Sequence, residues 1–172
     1  MDSTDAEVRD LYVTGLRNAH AMENQALSIM KPQVQRIENY PQVADLLNRH
    51  IGETEGQLRR LETALSELGE DNSTLKDWAL SMAGGMAAIG HSMAGDEILK
   101  NAMANFAFEH YEIAAYKSLI TLAEANGHAS GLAALQANLD EEKAMAAAIE
   151  AGLRPLTLQF ARRSEAGVTA KV

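Results

Sequence analysis

Apolar residues recur at helical spacing through four long stretches of this chain, and that rhythm limits its fold more than any other feature. The first stripe runs Leu11, Tyr12, Leu16, Ala19, Ala26, Leu27, Met30 and Val34, with Thr4-x-x-Glu7 as a capping box ahead of it. The second carries Val43, Leu46, Leu47, Leu58, Leu61, Leu65 and Leu68 and stops near Gly69. Asp96 caps the third, whose stripe is Ile98, Leu99, Ala102, Met103, Phe106, Ile113, Tyr116, Leu119 and Ile120, with Gly127 at its end. Ser130 caps the fourth, which shows Leu132, Leu135, Leu139, Ala146 and Ile149 before Gly152 and Pro155. Pro32 is expected to kink the first helix or to end its regular part. Long runs of Val, Ile, Thr and Tyr are missing and aromatics make up only 5%, so strands are not expected. The fold class is therefore all-α.

Link lengths refine the architecture. The links between the first and second helices and between the third and fourth are short, which makes antiparallel neighbours. The link from the second to the third is about 25 residues and holds a short helix from Thr74-x-x-Asp77 through Leu75, Trp78, Leu80 and Met82, before Gly84, Gly85, Gly90 and Gly95. Such a link crosses the bundle and makes the second and third helices parallel, the ferritin-like arrangement. The expected organisation is one four-helix domain over residues 1–155 and a weakly patterned C-terminal tail over 156–172.

Charge and cysteine content exclude several function classes. A net charge of −9 disfavours nucleic-acid and anionic-membrane partners, which require clustered Lys and Arg. The absence of cysteine removes disulfides, thiolate zinc, iron–sulfur clusters and cysteine nucleophiles. No basic-plus-apolar leader opens the chain and no apolar run is long enough to span a bilayer, so a soluble, cytoplasmic protein is expected.

Each long stripe is interrupted near its middle by acids. Glu23 continues the series Leu16, Ala19; His50 and Glu53 lie between Leu47 and Leu61; Glu109 and Glu112 follow Phe106; Glu142 falls between Leu139 and Ala146. Residues three or four apart share a helix face, so these side chains converge at one level of an aligned bundle. Buried ionised carboxylates cost roughly several kcal/mol each unless compensated. Two divalent metal ions would compensate them, and oxygen donors with one imidazole suit iron or manganese. The order His50-x-x-Glu53 is the reverse of the usual Glu-x-x-His, and the fourth helix offers Met145 rather than a histidine after Glu142.

The remaining polar candidates carry weaker signals. His110 projects away from its acidic neighbours, which suits a supporting role behind the ligands or a place at the surface rather than ligation; His20 is a surface residue by default and could hydrogen-bond Glu23; His91 and His128 sit in loop-like segments. Tyr12 and Tyr116 flank the acids and read as core, with a hydrogen bond to a carboxylate or a redox role as the functional alternative. Asp140 and Glu141 are alternatives to Glu142 should the helix rotate. Met82, Met86, Met93 and Met103 read as gap fillers in the core or an interface.

The string His50-Ile51-Gly52-Glu53-Thr54-Glu55-Gly56-Gln57, followed by Arg60-Leu61-Glu62, resembles the YciE/YciF family of bacterial ferritin-like proteins. So do Glu109-His110-Tyr111-Glu112-Ile113-Ala114-Ala115-Tyr116, Glu23-Asn24-Gln25 after Leu11-Tyr12, and Glu141-Glu142-Lys143-Ala144, so that the likeness extends over residues 8–150. The resemblance implies a ferritin-like bundle, often a homodimer, in bacterial stress response. It also implies a di-metal centre of iron first, with manganese or zinc as alternatives, held by Glu23, Glu53, Glu109, Glu112 and Glu142 with His50 as nitrogen donor. The Glu-x-x-Glu of the third helix resembles rubrerythrin, whose iron–sulfur module a cysteine-free chain lacks. Three functions fit: a di-metal carboxylate protein using oxygen or peroxide in oxidase, peroxidase-like or ferroxidase chemistry; a non-catalytic structural or interaction protein of the stress response; and iron storage, which requires a hollow assembly.

Overall fold

In the computed structural model of the protein, residues 3–70 and 94–172 are described, with side chains from residue 6 onward and without that of residue 130. The Thr4 side chain on which the capping box depends, the short helix expected from Thr74 through Met82, the glycines 84, 85 and 90, and His91, Met86 and Met93 lie outside what is described. Helix α1 spans Ser3–Arg36, α2 Pro41–Glu67, α3 Glu97–Ala125 and α4 Ala129–Glu165. Among the described residues there is no strand, and no helix is long and apolar enough to cross a membrane.

The expected stops hold where backbone chemistry demands them. Gly69 and Gly127 adopt left-handed φ of 75° and 69° directly after α2 and α3, the conformation glycine reaches without a Cβ clash. Asp96 precedes α3 as expected, whereas α4 begins at Ala129, with His128 rather than Ser130 at the cap position.

Neither proline ends a helix. α1 continues through Pro32 to Arg36 and α4 through Pro155 to Glu165. Both rings lie on exposed faces, as do Ser28 and Ala151, whose carbonyls lose the N–H partner four residues on; water can satisfy them there. The segment expected to be a tail from Leu156 is therefore first a helix, with Leu156 buried against Tyr40, Ile98 and Ala102. Beyond it the chain straps back across the bundle end. Tyr40 donates to the Ala170 carbonyl at 2.6 Å, the Asn39 N–H to that of Val172 at 3.2 Å and the Ile98 N–H to that of Lys171 at 2.9 Å.

Each helix packs against two neighbours: α1 on α2 and α3, and α4 on α3 and α2. Arg36 at the end of α1 binds Glu97 at the start of α3 (2.7 Å), so these two run antiparallel. Tyr12 near the start of α1 meets His128 at the start of α4 (2.9 Å), so that diagonal pair runs parallel. The α2–α3 diagonal is then parallel too, because α2 begins where α1 ends and Arg9 binds the Leu68 carbonyl at the far end of α2 (2.8 Å). This is the one-crossover, ferritin-like arrangement that the link lengths imply.

Candidate metal centre

Two apolar plugs bracket the middle of the bundle. Toward one end Tyr12, Leu16, Leu61, Leu65, Leu119, Leu135 and Leu139 pack together. Toward the other, Ala26, Met30, Leu47, Met145 and Ile149 do so. Every helix passes from one plug to the other through a polar step: Glu23 on α1, His50 to Gln57 on α2, Glu109 and Glu112 on α3, and Glu142 on α4. Each step falls on the inward face because it continues the helix's own apolar period. The sequence-level expectation of one shared height is thus met.

Donor atoms of His50, Glu109, Glu112 and Glu142 all lie within 4.8 Å of one another, and all four residues are buried. His50 Nε2 stands 3.3 Å from Glu142 Oε2 and 3.4 Å from Glu109 Oε2. Its other ring nitrogen, Nδ1, is 2.9 Å from Glu53 Oε2. Glu53 is a third exposed and stands outside the converging set, holding the imidazole from behind. Carboxylates behind ligating histidines fix the ring's tautomer and direction in metal sites. Glu23, fully buried, also stands outside that set; one of its oxygens accepts a 2.5 Å hydrogen bond from the Tyr116 hydroxyl.

Several carboxylate oxygens in this interior lack a hydrogen bond, and for Glu109 and Glu142 the nearest counter-group is the His50 imidazole. Glu23 Oε2, Glu109 Oε2, Glu142 Oε2 and both oxygens of Glu112 are buried with no hydrogen bond. Buried polar atoms are nearly always satisfied, so five orphaned oxygens at one level need an explanation. In the bare protein, retained protons on Glu23, Glu109 and Glu112 answer part of this. Burial, and next the nearby Glu142, push the Glu109 carboxyl up to about 10. Burial raises Glu23 well above the usual range, with Glu142 adding to it; burial followed by Glu23 does the same to Glu112. For His50, burial works to lower the pKa, but its contacts with Glu142 and Glu53 outweigh it and the net shift is upward. The alternative neutraliser is a cation. Carboxylate oxygens with one imidazole nitrogen, enclosed and otherwise unpartnered, are a donor set that fits a hard or borderline divalent metal.

A second layer surrounds the acids that sequence reasoning did not assign. Asn138 Nδ2 donates to the Tyr116 oxygen at 2.9 Å, and Arg60 donates to Asn138 Oδ1. Arg60 also clamps both oxygens of Glu141, at 2.6 and 2.9 Å. Gln57 Nε2 donates to Glu142 Oε1 and, at 3.1 Å, to Glu141 Oε2. Thr54 and Gln57 are fully buried, and they sit four and seven residues after His50, so helical spacing alone puts them on its face. That spacing was the available signal; polarity hid it, because the apolar stripe skips these positions.

The other candidates resolve as follows. Glu142, not Asp140 or Glu141, faces inward. Asp140 is exposed beside Lys143, and Glu141 belongs to Arg60. His110 is exposed and lies edge-on to Phe106. His20, expected at the surface with a bond to Glu23 as the alternative, is buried and contacts Glu62 at 3.2 Å. Tyr116, read first as core, makes the carboxylate bond offered as its alternative; Tyr12 bonds His128 instead. Leu11 and Met103, expected inside, are 58% and 56% exposed, because the inward faces there centre on Tyr12 with Leu16 and on Ala102 with Asn105.

Comparison with known proteins follows the same outline. Residues 7–162 match the family model described as a domain of unknown function, DUF892. Protein YciF of Escherichia coli K12 is 28% identical over 145 residues, covering 80% of this chain and 84% of that protein. A solved structure from Xanthomonas campestris pv. campestris aligns with a TM-score of 0.76 at 26% identity, covering 92% of this chain and 99% of the other. YcfI of Rhodopseudomonas palustris aligns at 0.62 and 28% identity, covering 83% and 92%. The E. coli stress protein YciF aligns at 0.66 and 21% identity over 85% and 94%, a likeness of fold.

Proposed function

The chain belongs to the DUF892 family and is YciF-like, and on that footing we propose that it is a ferritin-like di-metal carboxylate protein. The observation that carries this reading is the convergence of His50, Glu109, Glu112 and Glu142 within 4.8 Å around orphaned, buried oxygens. These four residues would hold one ion, and Glu23, with Glu112 and Glu142, would supply the donors for a second. Iron is the first choice and manganese or zinc the alternatives, given oxygen-dominated donors. Bound iron or manganese would supply electron transfer to a small oxidant such as oxygen or peroxide, the basis of oxidase, peroxidase-like or ferroxidase activity.

The chain's own residues prepare that chemistry. Glu53 orients His50, Tyr116 holds Glu23, and Arg60 fixes Asn138 beneath Tyr116. The two apolar plugs keep bulk water from the axis, which strengthens every charge interaction between them. The stress-response setting comes from the E. coli relative, which is described as a stress protein. A homodimer is part of the proposal, placed on the outward face of α3, where Met103 and Tyr111 are exposed with Ala107 and Ala114. That stretch presents no outward carboxylate on a chain of net charge −9, so a second copy meets no like charge there. The same face is what favours a second reading, a non-catalytic structural or interaction protein.

Elemental analysis of protein purified from rich medium tests the first reading. Iron, manganese or zinc approaching two ions per chain is expected, together with a melting temperature that falls on chelation. Trace metal and a melting temperature indifferent to added Fe(II), Mn(II) and chelator would leave the structural reading in its place.

A further inference from the structure

Thr54 is fully buried on the same face of α2 as His50 and Gln57, and its hydroxyl has no partner. A threonine in a helix ordinarily turns its hydroxyl onto the carbonyl four residues back. Thr63, Thr121 and Thr157 do so here, on Arg59 at 2.9 Å, Lys117 at 3.0 Å and Leu153 at 2.8 Å. Those three are exposed, yet Thr54, shielded from water and in greater need of a partner, forgoes the same bond. Three residues on, Gln57 uses its amide nitrogen on Glu142 and Glu141, which orients its oxygen; that oxygen is likewise buried and orphaned. A free hydroxyl and a free amide oxygen thus sit three residues apart on one helix face, on the side of His50, which like Gln57 contacts Glu142.

We propose that Thr54 and Gln57 form a polar subsite for a peroxide-class oxidant beside the metal centre. This rests on the metal reading above and adds the class of substrate. The Thr54 hydroxyl donates, while Gln57 Oε1 can only accept, so the complementary ligand carries both a lone pair and an O–H. Hydrogen peroxide has both; dioxygen has no hydrogen to give.

The test uses the full chain loaded with Co(II), whose visible bands report on its coordination, with azide as a small acceptor probe. Thr54→Val keeps shape and removes the donor; Thr54→Ser keeps the donor and removes the methyl. Unchanged Co(II) stoichiometry is expected in both, with azide binding weakened about tenfold or more by Thr54→Val, the loss of one hydrogen bond to a charged ligand, and restored in Thr54→Ser. In Fe(II)-loaded protein, oxidation by hydrogen peroxide should slow about tenfold in Thr54→Val while oxidation by dioxygen changes less than about twofold. Equal azide affinity in Thr54→Val and wild type would mean that the subsite holds an ordered water only, and would overturn the proposal. So would an equal slowing with both oxidants, which marks a structural role. Wild-type protein that takes up no Co(II) would instead remove the metal reading itself, and this inference with it.

Discussion

Replacing Glu109 with glutamine in metal-free protein tests whether the cluster is an electrostatic burden that a cation relieves. Burial and Glu142 raise this carboxyl from 4.5 to about 10. Because the folded value lies above the unfolded one, its stabilising contribution is fully present below about pH 4.5 and is lost as pH rises toward about 10. Each pH unit inside that window removes about 1.4 kcal/mol. Between pH 5.5 and 7.5 the loss through this one group is therefore about 3 kcal/mol, or roughly 6–12 °C in melting temperature for a domain of this size. Glu23, Glu112 and His50 are shifted in the same direction and deepen the slope. Glutamine keeps the shape of the protonated acid and cannot ionise. At pH 7.5 metal-free Glu109→Gln should be more stable than wild type by up to about 4 kcal/mol, with the gap closing toward pH 5. Thermal melts followed by circular dichroism in chelator, across that pH range, measure it. With metal the sign reverses in wild type, since ligands must lose their protons to bind, and the variant should gain little. The reasoning fails if metal-free Glu109→Gln melts at or below wild type at pH 7.5 with an unchanged pH slope.

Three further outcomes follow from the geometry. Tyr116→Phe leaves Glu23 Oε1 and Asn138 Nδ2 without their partner in a dry interior, and should cost roughly 1–3 kcal/mol in urea denaturation. Gly15→Ala should destabilise by roughly 1–3 kcal/mol despite alanine's helix preference, worth about 1 kcal/mol; a Cβ there would sit 2.8 Å from Leu119 Cδ1, and the same melts decide it. Met103→Glu combined with Tyr111→Glu should convert a dimer to monomer in size-exclusion with light scattering, while each monomer keeps its stability to within about 1 kcal/mol.

Much of this was legible in the sequence because the strongest signals are local. Glycine after a periodic stretch stops a helix for backbone reasons, and Gly69 and Gly127 do. An acid inside an apolar period must point inward, and Glu23, Glu109, Glu112 and Glu142 do. What escaped was decided by tertiary surroundings. Pro155 looked like an end, but only its exposed position shows that the lost hydrogen bond is cheap. Tyr40 gave no hint of a carbonyl 130 residues away. Thr54 and Gln57 were hidden because a reading of hydrophobic period scores polar residues as outward, and through its middle α2 faces inward with them. The Arg60–Asn138–Tyr116–Glu23 chain joins all four helices, and no single window of sequence contains it.

The pairing of the helices has a consequence for assembly. α1 with α2, and α3 with α4, are two hairpins of local contacts, each able to form early. Glu23 and His50 come from the first, Glu109, Glu112 and Glu142 from the second, so neither half owns a complete set of donors. A cation bound there would tie the two halves together, and its release would weaken the contact between them without parting them. Cutting the chain within residues 71–93 would turn that into a binding equilibrium, with two fragments recombining in proportion to the metal supplied.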